Sequence, residues 1–173
     1  IRKHKKVIFN GNGYTDEWIK EAEERGLYNL VSTPDALPQF IADKNIELFT
    51  KHSVFTKEEI YSRYEILLEN YVKTINIESK TLQEMLTKDF IPAVNGYAAE
   101  VAVNANEKKA LIEGLATTAE ESIVKELTEA SNTLSAKVAE LKAVTEKADA
   151  AAEEDMQKAA ESFHKDVLTL MDE

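Results

Sequence analysis

The chain has 173 residues, 21 basic and 32 acidic side chains, a net charge of −11 and no cysteine. That length allows one domain with a proper core, or two small ones, and the missing thiols exclude disulfides and thiolate metal sites. The acidic balance works against phosphate-backbone partners, so no nucleic acid is expected, and no run approaches the roughly 18 apolar residues of a membrane span.

A start at Ile1 rather than methionine, with no secretory leader, leads to the expectation of a cytoplasmic piece of a longer protein. The basic cluster Arg2, Lys3, His4, Lys5 and Lys6 reads as the solvated flank of a strand. Val7 to Phe9 is expected to be a short extended segment, with Asn10 to Gly13 turning the chain into a helix capped by Thr15. Asp16 and Glu17 suit the positive end of that helix, and Gly26 sits where a left-handed terminal residue is wanted. Thr33 followed by Pro34 marks a second start, with proline at the first helical position and Pro38 splitting the segment before Phe40 and Ile41.

The clearest start is Thr56-Lys57-Glu58-Glu59, a capping box in which hydroxyl and carboxylate each satisfy a free backbone donor. Ile60, Tyr64, Leu67, Leu68, Tyr71, Ile75, Leu82, Met85 and Leu86 then recur at helical spacing. This predicts one helix from about Lys57 to about Phe90, with Pro92 as a kink beyond which it can continue.

Composition shifts after Tyr97. Twelve of the thirteen aromatic residues and all three prolines lie at or before it, so the first part is expected to build an aromatic core. The remainder is rich in Ala, Glu and Lys. Ile123, Leu127, Ala130, Leu134, Val138, Leu141 and Val144 form one stripe, and Met156, Ala160, Phe163, Val167 and Leu170 form another. Glu121–Lys125, Glu154–Lys158 and Glu161–Lys165 are i,i+4 pairs in the favourable order, and the reversal is placed at Ala148 to Glu153. The fold class expected is mainly α: an extended segment and turn, a long helix, then an antiparallel helical hairpin packed on that helix. The second half, with its modest aliphatic stripes, is expected to be the less stable one.

Val7 to Trp18 contains the parts of a nucleotide-phosphate cradle: an extended run, Gly-x-Gly and a helix N-terminus. The third fingerprint glycine is replaced by Asp16, whose carboxylate would repel a phosphate, and no Gly-Lys-Ser/Thr triplet follows. The turn therefore reads as structural. His4, His52 and His164 lie far apart without metal-ligand spacing, although His52 is near Glu47 and Glu58. Glu120-Glu121 and Glu153-Glu154-Asp155 lack the alternating ligands of a calcium loop. No catalytic, cofactor-binding or metal-binding residue is assigned.

Four segments carry a resemblance: "HKKVIFNGNGYTDEWIKEAEERGLYNL", "STPDALPQF", "NIELFTKHSVFT" and "SRYEILLENYVKTINIE". They resemble the C-terminal region of type III glutamine synthetases, closely over His4 to Thr81 and more loosely beyond. The resemblance implies an enzyme that joins ammonia to glutamate at the expense of ATP, through a γ-glutamyl phosphate, with magnesium or manganese held by glutamates. Those groups belong to a catalytic core expected N-terminal to Ile1, so none is carried onto this chain, and a further tail is expected beyond Glu173. Residues 1–72 would be the end of the catalytic domain and 73–173 a helical C-terminal extension. The implied partners are the chain's own core and other subunits of a homo-oligomeric ring. The alternative is a free-standing helical interaction domain without enzymatic activity.

Overall fold

A computed structural model describes residues 2–173. Arg2–Val7 forms 3-10 turns, followed by α1 (Asp16–Glu24), α2 (Thr33–Phe40), α3 (Asp43–Lys51) and α4 (Lys57–Met85). A π-helical turn at Leu86–Phe90 joins α4 to α5 (Ile91–Leu111). α6 (Thr118–Ala151) follows, then α7 (Met156–Ser162), a second π turn at Phe163–Val167, and α8 (Leu168–Asp172). The chain is mainly α, with no strand among the described residues. Two compact units emerge, Ile1–Tyr64 and Glu65–Glu173, and α4 runs from the first into the second.

In the first unit the expected extended run is replaced. Val7 closes the 3-10 segment, and Ile8 to Asn10 run without regular structure. Arg25 holds this strap: its guanidinium donates to the carbonyls of Lys6 (3.0 Å) and Ile8 (2.8 Å), lies over the Trp18 ring and pairs with Glu21. Thr15 occupies the N-cap position of α1, yet its hydroxyl donates backwards to the Asn12 carbonyl and caps nothing. Gly26 is left-handed at φ +69, as expected after the last turn.

α2 begins one residue earlier than Thr33–Pro34 suggests. Ser32 is its cap, accepting from the Asp35 amide at 3.2 Å, and Pro34 is the second helical residue. Pro38 does not split the segment, because a proline so near a helix end removes only one donor, and α2 continues to Phe40. The capping box at α4 is formed as read: the Thr56 amide donates to Glu59 at 2.8 Å, and the Glu59 amide to the Thr56 hydroxyl at 3.2 Å.

The expected aromatic core is a finding in reverse. Phe9 stacks on Trp18, Phe40 meets Phe49 at a tilt and Phe49 meets Phe55 edge to face, but none of these rings is buried. Tyr14 is fully exposed and Tyr28 is 74% exposed. The aromatic residues pair along the surface instead of converging.

The second unit is better filled. Its core joins Leu68, Val72 and Ile75 of α4 and Ala98, Val101 and Ala105 of α5 to Leu141 and Ala148 of α6, with Ala159, Ala160, Phe163 and Val167 beyond. Leu67 and Met85, placed in the apolar stripe by spacing, are exposed, while Val72 and Ser79 hold the buried positions. The helical run continues past Pro92 without ending. Pro92 lacks the donor an α-turn would need, and the π turn, closed by the Ile91 amide on the Leu86 carbonyl, takes up the misfit.

α5 and α6 are antiparallel, joined by a turn with Gly114 at φ +77 and clasped by Lys108–Glu120 and Lys109–Glu121, both 2.5 Å. Further along, the Ser79 and Thr145 hydroxyls meet at 2.8 Å, and Asn76 and Lys80 both donate to Asp149. The reversal before α7 lies at residues 152–155, just past Ala148–Ala151, which remain helical. Asp155 fixes it by accepting from the amides of Gln157 and Lys158. Of the three i,i+4 pairs only Glu161–Lys165 forms, at 3.9 Å. Glu121 is taken by Lys109 across the hairpin and Lys158 turns to Asp155, since a tertiary or capping partner outcompetes a flexible surface neighbour.

Candidate functional site

The opening turn is held by its own side chains. Asn12 Oδ1 accepts from the Tyr14 amide at 3.1 Å, and the Thr15 amide and hydroxyl both reach the Asn12 carbonyl. Asp16 and Glu17 fill the first turn of α1, so the helix end that would receive a phosphate already carries two carboxylates. Gly13 has open space around it and no positive φ. At Gly11 an added Cβ would come within 2.6 Å of the Phe9 ring. The glycine with a structural reason is thus Gly11, which lets Phe9 fold back onto Trp18. Positive φ is needed instead at Gly26 and Gly114.

His4 and His52 are exposed and His164 is half-buried. No group of three or more His, Asp or Glu among the described residues is placed to hold a metal ion. Glu120 and Glu121 are drawn to Lys108 and Lys109, whose ammonium groups hold both carboxyls below the usual glutamate range. Asp155 is likewise lowered, chiefly by the Lys158 amide it accepts from. These acidic clusters are a clasp and a helix cap.

One concavity of the second unit stands out by its apolar lining. It is an apolar groove of about 500 Å³, walled by Leu82 and Leu86 of the long helix, by Leu134, Val138 and Leu141 of α6, and closed at one end by Leu170 and Met171. Lys137 and Glu173 form an ion pair on its lining, and Glu173 raises the Lys137 pKa. Spacing had marked Leu134, Val138 and Leu141 as one stripe. That the stripe stays partly open could not be read from it, because openness depends on how far α8 extends along the groove.

These features define a class: a helical module whose chemistry-bearing side chains cap, clasp and pair, and whose distinctive surface is an apolar groove. The chain belongs to the glutamine synthetase family, matching the domain described as "Glutamine synthetase C-terminal domain" over residues 1–109. It is 46% identical over 170 residues to a glutamine synthetase of Butyrivibrio fibrisolvens, covering 98% of this chain and 24% of that protein. A type-3 glutamine synthetase of Dictyostelium discoideum is 39% identical over 104 residues, 60% of this chain and 14% of its own length. A glutamine synthetase of Bacteroides fragilis is 31% identical over 91 residues, 53% of this chain and 12% of that protein. The chain therefore spans a quarter or less of the relatives it matches. No helix among the described residues is long and apolar enough to cross a membrane.

Proposed function

We propose that this chain is the C-terminal region of a cytoplasmic glutamate–ammonia ligase of the type III class, and that it serves packing and subunit assembly. The observation that carries the reading is 46% identity over nearly the whole chain to a protein about four times as long and named glutamine synthetase. In that reading ATP, magnesium or manganese, and the residues that handle γ-glutamyl phosphate belong to the rest of the parent. This region alone is inactive. Two features support an assembly role: the half-exposed aromatic pairs of the first unit and the open groove of the second are surfaces of the kind that partners cover.

Deleting Ala98 to Glu173 from the parent is the test, with sedimentation and γ-glutamyl transfer measured on the same preparation. The truncated enzyme should sediment as smaller species while its dissociated subunits remain folded. A normal ring with catalysis alone abolished would contradict the assembly role. Synthetase activity in the 173-residue chain by itself would contradict the assignment of chemistry elsewhere.

A further inference from the structure

Asparagine followed by glycine occurs three times, at Asn10-Gly11, Asn12-Gly13 and Asn95-Gly96, and all six residues are exposed. The pair has an intrinsic chemistry. A glycine amide nitrogen, unshielded by any Cβ, can attack the carboxamide carbon of the residue before it once the backbone leaves the helical conformation. Asn12 and Asn95 share even the next residue, Tyr14 and Tyr97, so sequence and exposure rank them equally and only the backbone separates them. Gly96 is the sixth residue of α5, past the open first turn, and its amide is committed to the helical ladder. Gly11 and Gly13 lie outside any helix, and among the described residues neither amide donates a hydrogen bond. These two differ in turn. Gly11 lies under the Phe9 ring, which comes within 2.6 Å of where a Cβ would stand, whereas nothing is within 4 Å of that point at Gly13. Asn12 Oδ1 also accepts from the Tyr14 amide at 3.1 Å.

We propose that Asn12 is a site of spontaneous covalent modification, converted through a cyclic succinimide to aspartate and isoaspartate. The Gly13 nitrogen gives its proton to water and bonds to Cγ of Asn12. Oδ1 carries the negative charge that develops, and the Tyr14 amide already donating to it stabilises that oxyanion. The Cγ–Nδ2 bond then breaks, and the nitrogen takes a proton from water and leaves as ammonia. A water molecule opens the ring at either carbonyl, and water is the only co-reactant. Opening at Cγ leaves aspartate with the normal main chain. Opening at the old main-chain carbonyl routes the chain through Cβ and Cγ and frees that carbonyl as a carboxylate. It is the Asn12 carbonyl that accepts from the Thr15 amide at 3.3 Å and the Thr15 hydroxyl at 3.1 Å. The isoaspartyl form therefore takes the anchor of the turn before α1 out of the main chain. Either product adds a negative charge ahead of Asp16 and Glu17.

The full chain would be aged in mildly alkaline buffer, folded and, separately, in urea, and its Asn-Gly peptides followed by chromatography and mass spectrometry. Mass reports the exchange of NH2 for OH, and retention separates the two isomeric products. In the folded chain Asn12 should convert fastest, Asn10 more slowly, and Asn95 roughly tenfold or more behind Asn12, because α5 must open before Gly96 can attack. In urea Asn12 and Asn95 should convert at the same rate. Gly13→Ala, whose Cβ meets open space, should slow conversion of Asn12 roughly tenfold with little change in the thermal melt. Three results each overturn the proposal: Asn95 converting as fast as Asn12 in the folded chain, Asn12 outpacing Asn95 in urea as well, or conversion of Asn12 indifferent to Gly13→Ala. None of these readings depends on subunit assembly, so loss of the assembly role would leave this result standing.

Discussion

The two units solve the packing problem in opposite ways. Residues 1–64 are electrically neutral, with ten basic and ten acidic side chains, and hold most of the aromatic surface, yet little beyond Ala22, Ser32, Pro34 and Ile60 is buried there. Residues 65–173 carry the whole net charge and a single buried ring, Phe163, but enclose a continuous core of aliphatic and small residues. Large rings need partners on several sides, and helices of eight and nine residues supply too few. Alanine, valine and serine let long helices approach closely enough to exclude water along many turns. The residues with the most apolar surface are therefore not those that stabilise the isolated chain most. The aromatic unit leaves its rings half-exposed, and the aliphatic one largely covers itself.

The largest effect should come from Phe163. Phe163→Ala empties a fully buried position and should cost about 3–5 kcal/mol. Urea unfolding followed by helical circular dichroism would report it, and Phe40→Ala, at a half-buried ring, should cost clearly less. Equal losses would erase the distinction between the units.

Buried polar pairing sharpens the same contrast. Ser79→Ala removes the hydroxyl that meets Thr145 and Gln83 and should cost about 1 kcal/mol. Adding Thr145→Val should recover part of that loss, because both ends of the pair then become apolar. A strictly additive double mutant, measured by the same unfolding curves, would show that the pair is not coupled.

Helix caps separate residues that look alike in sequence. Thr56→Ala should cost about 1 kcal/mol, since it removes the hydroxyl that accepts from the Glu59 amide. Thr15→Ala should cost a few tenths at most, because that hydroxyl faces backwards to Asn12. Thermal melts of the two variants decide this, and a larger shift for Thr15→Ala would contradict the assigned geometry.

The pH dependence should localise to the clasp of the second unit. Glu120 and Glu121 have folded pKa values below the usual glutamate range because of Lys108 and Lys109. Their contribution is complete above that range and is lost as pH falls through the depressed folded values. Glu120→Gln with Glu121→Gln should flatten this acid limb in a pH series of melts. Smallest of all should be Gly13→Ala, with open space and no positive φ, whereas Gly11→Ala should shift the Phe9 ring and quench or expose Trp18 fluorescence.

Much of this was legible in the residues, and the failures share a cause. The Thr56–Glu59 box, the stripes of α6 and α7–α8 and the left-handed Gly26 follow from local chemistry, which is complete within a few residues. The end of α6 at Ala151, the partner of Glu121 and the route through Pro92 depend on groups 5 to 12 positions away or across a hairpin, where competing contacts decide. The aromatic surface misled for a related reason. Composition records how much apolar area a segment owns, but not whether enough neighbours exist to bury it. The rejection of the Gly-x-Gly cradle rests on Asp16, which stands in the first turn of α1; the groove depends on how far α8 reaches along α6, which no periodicity encodes.

Native-state hydrogen exchange on the 173-residue chain tests the central contrast most directly. The account predicts that amides of Leu68 to Ser79 and Leu141 to Ala148 exchange slowest. Those of α1 to α3 should open at much lower free energy, the reverse of what the aromatic composition suggests. Protection in α1 to α3 equal to or greater than that in Leu141 to Ala148 would contradict it.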